Sequence, residues 1–272
     1  MQFGVSTACF FPNLYVEDAI GAVGGLNAGV TEVFFSCLGE YEPGFVAELK
    51  ARAQAQDIRV FSVHAFSLQF EPQLFTRHMR ARSEADGIFH KVLEAAATLG
   101  AGVYVFHGPV NLKRMTLNSA DMDDIARRTG ELADAAAGYG IRLAWENVHY
   151  CWYERPDFAE ELLRRECTDN LYFTLDVKQA AQAGFRPEEF LPGTKGRLAN
   201  IHICDYAYTS KGVFPRLPFS GEMDMAAFRQ ALLQTGYDGG MMLEVYRNNF
   251  SDHAQLAENF AAVRDYFSQT GR

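Results

Sequence analysis

The chain is predicted to fold as a single (β/α)8 TIM barrel, and three observations predict it. Strand-like and helix-like runs alternate along its whole length, they form eight pairs, and side chains of metal-ligating type end four consecutive apolar runs in the second half. Repeated strand, helix, strand units imply parallel strands joined by right-handed crossovers, and eight of them close naturally into a barrel. A barrel of this kind commonly takes about 250 residues, so the 272 residues read as one domain spanning 1–272.

The elements follow in order. FGVSTA is the first strand, with a helix from about Val16 to Ala28. VTEVFFS leads into a helix from about Pro43 to Gln56, and RVFSVHA into one from about Ser83 to Leu99. VYVFHGP precedes a helix from about Ser119 to Tyr139, and RLAWENV one near Asp157 to Arg165. LYFTLDV is followed by a short helix near Pro187, LANIHICD by Asp224 to Gln234, and GGMMLEVY by Asp252 to Phe267. Apolar, β-branched and aromatic residues dominate each strand run, as expected of strands covered on both faces.

Punctuation supports several boundaries. Asn27-Ala-Gly29, Leu99-Gly100 and Tyr139-Gly140 place glycine where a helix closes in the left-handed conformation. Ser83, Ser119, Asp224 and Asp252 are candidate amino-terminal caps. The alternative architecture, an open doubly wound sheet, would usually carry a glycine-rich phosphate loop after its first strand. The glycines of GAVGGLNAG match no such loop and lie inside a helical segment, where close helix packing accounts for them.

Composition narrows the function classes. A hydrophobic fraction of 48% and a charged fraction of 22% are those of an ordinary globular domain. No apolar run approaches the roughly 20 residues of a membrane span, and MQFGVSTACFF lacks the pattern of a secretory leader, so a cytoplasmic location is expected. The five cysteines, Cys9, Cys37, Cys151, Cys167 and Cys204, show no CxxC spacing and argue against a disulfide framework or a thiolate zinc site. A net charge of −9 disfavours nucleic acid as a partner.

The chemistry-bearing residues are Glu146 in LAWENV, Asp176 in YFTLDV, His202 in NIHICD and Glu244 in MMLEVY. A carboxylate ending one strand is usually solvated at the junction. Four metal-type groups after four successive buried runs are another matter, because buried carboxylates need a partner or an ion. A barrel gathers the carboxyl ends of its strands around one pocket. Three carboxylates and an imidazole make an oxygen-rich site for one divalent cation, Mn2+ or Mg2+ foremost, with Zn2+ or Co2+ as alternatives.

Further residues fall at the same end. His64 in SVHAFS and His107 in FHGP are expected to line the pocket rather than bind the metal. Gln179, and less so Lys178, follow Asp176 and face substrate oxygens; Arg247 and Arg216 are candidates for an anionic group, with ordinary surface exposure as the competing reading. Phe10, Phe66, Trp152, Tyr208 and Phe219 sit in predicted loops above the barrel, where aromatic faces stack on sugar C–H faces or simply pack the mouth.

The strand ends WEN, TLDVKQA, HICD and LEVY, with the loop LPFSGEMD, resemble the xylose-isomerase-like barrel superfamily of sugar isomerases, epimerases, inosose dehydratases and apurinic endonuclease IV. The resemblance covers essentially the whole chain. It implies that Glu146, Asp176, His202 and Glu244 are the metal quartet and that Glu146 and Glu244 are the acid/base pair. Two departures stand out. Many relatives carry D-x-x-H where this chain has Asp176-Val-Lys-Gln179, and Phe219 replaces the first glycine of the family loop LPGxGExD.

The function that follows is a metal-dependent isomerase or epimerase of a sugar, sugar phosphate or related polyol, working by proton transfer next to a metal-bound carbonyl. An inosose-type dehydratase is the alternative on the same scaffold. A DNA-repair endonuclease is disfavoured by the acidic balance and by Gln179, and a non-catalytic sugar-binding barrel by the mutual repulsion of unoccupied carboxylates. Small-molecule substrate, no nucleic acid, no membrane and a possible homo-oligomer are the expected partners.

Overall fold

The computed structural model describes residues 1–111, 121–165 and 168–269. Strands β1 (Gln2–Ser6), β2 (Val30–Phe34), β3 (Arg59–His64), β4 (Val103–Phe106), β5 (Arg142–Glu146), β6 (Leu171–Asp176), β7 (Leu198–Ile203) and, after a hairpin of β8 (Asp205–Thr209) and β9 (Gly212–Arg216), β10 (Gly240–Leu243) are joined by helices. All but the hairpin strands pair in parallel, and β10 closes the barrel between β7 and β1. The predicted (β/α)8 barrel is the observed fold.

The surrounding helices are α1 (Val16–Gly25), α2 (Pro43–Ala55), the short α3 (Glu71–Leu74), α4 (Met79–Leu99), α5 (Met122–Ala137), α6 (Phe158–Arg165), α7 (Val177–Gln182), α8 (Met225–Thr235) and α9 (His253–Ser268). Asp224 and Asp252 cap α8 and α9 as expected, accepting from the Ala227 and Gln255 amides. Gly100, at φ 77°, closes α4. Other boundaries differ. The His78 ring caps α4, which places Ser83 inside the helix rather than at its start. Asn27, not Gly29, takes the left-handed conformation before β2. The candidate cap Ser119 lies outside the described residues. The helix expected near Pro187 is a 3-10 turn, because α7 starts directly at the end of β6 with Asp176 as its cap. No helix among the described residues is long and apolar enough to cross a membrane.

Strand alternation divides the core. In β5, Leu143 and Trp145 face the helices, where Trp145 packs on Phe158 of α6, while Ala144 and Glu146 face inward. Register shifts opposite Phe61 and Ala199 add these residues to a small apolar plug with Val103, Ala144 and Met242. Phe61 fills the space above Gly240, where a Cβ would lie 2.3 Å from its ring. Above the plug the barrel interior turns polar, with Ser6, Glu32, Ser62, Asn200 and His202 all buried.

The end of β4 is fixed by one buried carboxylate. Glu71 accepts from the amides of His107 and Gly108 and from the Tyr104 hydroxyl. Gly108 is at φ 73°, and a Cβ there would lie 2.2 Å from the Trp145 ring. Gly108→Ala is therefore expected to cost about 3 kcal/mol, combining backbone strain with overpacking. Gly100→Ala, with open space around it, should cost only about 1 kcal/mol. Urea titration of both variants checks the difference, and equal losses would contradict the steric account. Burial raises the Glu71 carboxyl from 4.5 to about 7, against the hydrogen bonds that favour its anion. An acid whose folded pKa is raised is more costly to ionise in the folded chain, so stability should fall as pH rises from about 4.5 to about 7, by on the order of 3 kcal/mol. In Glu71→Gln this part of the pH dependence should be missing from the unfolding free energy.

Candidate metal centre and pocket

Four adjacent strands carry the quartet to the carboxyl end of the barrel. Asp176 and His202 are direct register partners across β6 and β7, and Glu146 pairs with Thr174 across β5 and β6. Asn147 holds β5 to β6 at two points: its side-chain oxygen accepts from the Asp176 amide at 2.7 Å, and its Nδ2 donates to the Asp176 carbonyl at 3.0 Å. Glu244 follows β10, anchored by its amide to the Ile203 carbonyl.

The groups meet at His202. Its Nδ1 lies 3.0 Å from both Glu146 Oε1 and Glu244 Oε2. One ligand atom each from Glu146, Asp176 and His202 can lie within 4.8 Å of one another, as can atoms of Glu32, His64, His202 and Glu244. Burial works against an imidazolium at His202, but the charges of Glu244, Glu32 and Glu146 outweigh it and raise the ring well above the usual histidine range. Burial likewise opposes the Glu146 anion, yet His107 and His202 hold that carboxyl well below its usual range. For Glu244 burial prevails and the carboxyl is raised. Glu146 Oε2 and Glu244 Oε2 are buried without a hydrogen-bond partner. His107 Nε2 approaches Glu146 Oε2 at 2.6 Å, but not in hydrogen-bonding geometry.

Above this cluster opens a cavity of about 780 Å3, counting its mouth, lined by Glu146 and Glu244 but not by Asp176 or His202. The two glutamates thus face the space that a substrate would enter. The expected pocket residues His64, His107 and Gln179 line it too, as does Lys178. His64 and His107 face each other through their Nε2 atoms at 2.8 Å, with Ser67 against His107 Nδ1. Gln179 Oε1 accepts from the His149 amide and lies 2.6 Å from its ring. Lys178 donates to the Tyr246 hydroxyl and lies 3.4 Å from Asp176 Oδ2; burial disfavours its ammonium, but the Asp176 charge more than restores it.

Two expected pocket residues are elsewhere. Phe10 is fully buried in the core, edge-on to Phe250 and His253, because the turn after β1 directs it inward; Phe11 lines the cavity instead. Arg247 turns away to the carbonyls of Phe250 and Ser251 and stacks on the Phe250 ring. Of the loop aromatics, Phe66 reaches the cavity, whereas Phe219 packs on Tyr266. Arg216 lies on the hairpin strand β9, outside the cavity.

Glu32 went unread in the sequence. It is wholly buried inside the barrel at the His202 ring, and its signal was a charged residue in the middle of the apolar run VTEVFFS.

A comparison with curated protein sequences finds no match. Among solved structures, the fold is similar to D-psicose 3-epimerase from Clostridium cellulolyticum H10, at a TM-score of 0.81 and 16% identity over 98% of each chain. It is also similar to L-ribulose 3-epimerase, at 0.79 and 15% identity over 98% of this chain and 94% of that one. A third is the IOLI protein with a binding zinc atom, at 0.78 and 20% identity over 99% and 100% of the two chains. The family model of the xylose isomerase-like TIM barrel matches residues 28–266, and the chain belongs to that family.

Proposed function

We propose that the protein is a divalent-metal-dependent sugar or sugar phosphate isomerase or epimerase. The observation that carries this reading is the gathering of two buried glutamate oxygens that make no hydrogen bond, on residues lining the cavity, with His202 and Asp176 just outside that lining. The residues fit a metal ion. Buried carboxylate oxygens that make no hydrogen bond are costly, and a cation is what such a set accepts. Glu146, Asp176, His202 and Glu244 would hold it, their oxygen-rich chemistry suiting Mn2+ or Mg2+. The solved neighbours named as 3-epimerases, and the one holding zinc, support the same reading.

When bound, the cation supplies Lewis acidity that polarises a substrate carbonyl and acidifies the neighbouring C–H. The protein does the rest. Glu146 and Glu244 enter the cavity from separate strands, so one can take a proton from carbon and the other return it, to the opposite face for epimerisation or to the adjacent carbon for isomerisation. His64, His107, Lys178 and Gln179 offer polar atoms to substrate oxygens, while Phe11, Phe34 and Phe66 exclude water from the mouth.

Elemental analysis of the purified protein should find about one divalent ion per chain, lowered in His202→Ala and Asp176→Ala. Unchanged metal content in both variants would remove the site. Chelation should abolish turnover and Mn2+ or Mg2+ restore it.

Incubation with a panel of ketoses and inososes in D2O should place deuterium at one carbon next to the carbonyl of an accepted substrate. Glu244→Gln should lower kcat by about a hundredfold or more with little change in KM, since the amide still fills the site but cannot carry the proton. Product that keeps its original hydrogen would point to a hydride shift and take the proton-transfer role from both glutamates.

A further inference from the structure

Glu32 lies within reach of the candidate metal centre, yet its surroundings differ from those of Glu146 and Glu244. Its Oε1 accepts from Ser6 Oγ at 3.1 Å. Its Oε2 accepts from Ser62 Oγ at 2.7 Å and Asn200 Nδ2 at 3.0 Å, and lies 3.1 Å from His202 Nε2. These donors come from β1, β3 and β7, so the carboxylate is saturated from three sides, completely buried, and excluded from the cavity. Glu146 and Glu244 each keep an oxygen that makes no hydrogen bond; Glu32 keeps none. Its oxygens are therefore already taken up in accepting hydrogen bonds.

That decides which nitrogen of His202 carries a proton. Nε2 faces the Glu32 oxygen at 3.1 Å and the Asn200 amide nitrogen at 3.2 Å; without a proton its lone pair would stand against the lone pairs of a buried carboxylate, whereas with one it donates to that oxygen. Turning the Asn200 amide over would bring its oxygen to Nε2 and would still require a proton there. Nδ1 points the other way, to Glu146 Oε1 and Glu244 Oε2. We propose that Glu32 is the positioning residue of the centre: by accepting the Nε2 proton it locks the His202 ring with Nδ1 turned toward the carboxylates as the metal-ligating atom. This rests on the reading of His202 as a metal ligand given above. A carboxylate behind a ligating histidine fixes the tautomer and ring orientation and strengthens the nitrogen as a donor.

The test uses Glu32→Ala and Glu32→Gln with Zn2+, chosen because it leaves NMR spectra sharp. In the Zn2+-loaded wild type with 15N-labelled histidine, the proton of His202 should sit on Nε2. Glu32→Ala should bind Zn2+ about ten- to a hundredfold more weakly in competition with a chelator. Glu32→Gln retains an acceptor but not the charge. It should keep the proton on Nε2, bind severalfold more weakly than wild type, and unfold when metal-free near the wild-type midpoint. If Glu32→Ala does not fold, the Zn2+ affinity of Glu32→Gln decides alone, a severalfold loss supporting the role and wild-type affinity overturning it. A proton on Nδ1 in the loaded wild type would also overturn it. Wild-type affinity in the Glu32 variants beside a His202→Ala variant that has lost the ion removes only the role of Glu32. Wild-type affinity in His202→Ala removes the metal reading and the role together.

Discussion

Three carboxylates, Glu32, Glu146 and Glu244, approach one imidazole, His202, from two sides at 3.0 to 3.1 Å, their side chains almost wholly withdrawn from solvent. Anions brought this close in a low-dielectric interior repel one another strongly unless positive charge stands between them. The raised His202 ring is the protein's own partial answer, and at Glu244 burial still prevails over it and lifts the carboxyl. The carboxyl end of the barrel is thus electrostatically incomplete, and the surrounding contacts keep it from relaxing. The Asn147 clamp stops β5 and β6 sliding apart, the Glu32 bonds tie β2 to β1, β3 and β7, and Glu71 pins the corner that carries His107. Each clamp uses a polar side chain whose own hydrogen bonds are complete, so rigidity is gained without further buried charge left unpaired.

The same contrast separates supporting residues from those free to react. Glu32, Glu71, Asn147 and Asp205 have their oxygens engaged by donors; Asp205, for instance, accepts from the amides of Tyr206, Gly221 and Met223 and so shapes the loop before α8. Glu146 and Glu244 retain unengaged oxygens, and both line the cavity. Lys178 is intermediate. Held between Asp176 and Tyr246, it introduces a cation that softens the negative character of the pocket wall.

Much of this was legible in the sequence because barrel geometry converts chain order into spatial order. Glu146, Asp176, His202 and the residue after GMML were recognisable as neighbours because each ends a strand, and strand ends converge. Glu32 was not recognisable in the same way. It lies within a strand, and whether it points into the barrel or toward a helix depends on the register shift opposite Phe61, which no local pattern announces. Phe10 and Arg247 were misplaced for a related reason: they sit in short turns, where neighbouring residues point in opposite directions and one step exchanges Phe10 for Phe11. The hairpin of β8 and β9 breaks the strand-helix rhythm as an antiparallel excursion between β7 and α8. The early start of α4 reflects a local cap of an uncommon kind: the His78 ring accepts from the Ala81 amide and supplies what the more usual capping residue Ser83 offered further along.

The plug of Phe61, Val103, Ala144, Ala199 and Met242 fills the barrel interior below the polar layer. The plug therefore closes the barrel interior on the side away from the cavity. Asp176 and His202 stand outside the cavity lining, behind the two glutamates that form part of it. If the quartet binds an ion as proposed, that ion would have to enter before the organic molecule that covers Glu146 and Glu244. A substrate in place would then act as a stopper for it, and product and substrate would be rivals for the same threshold.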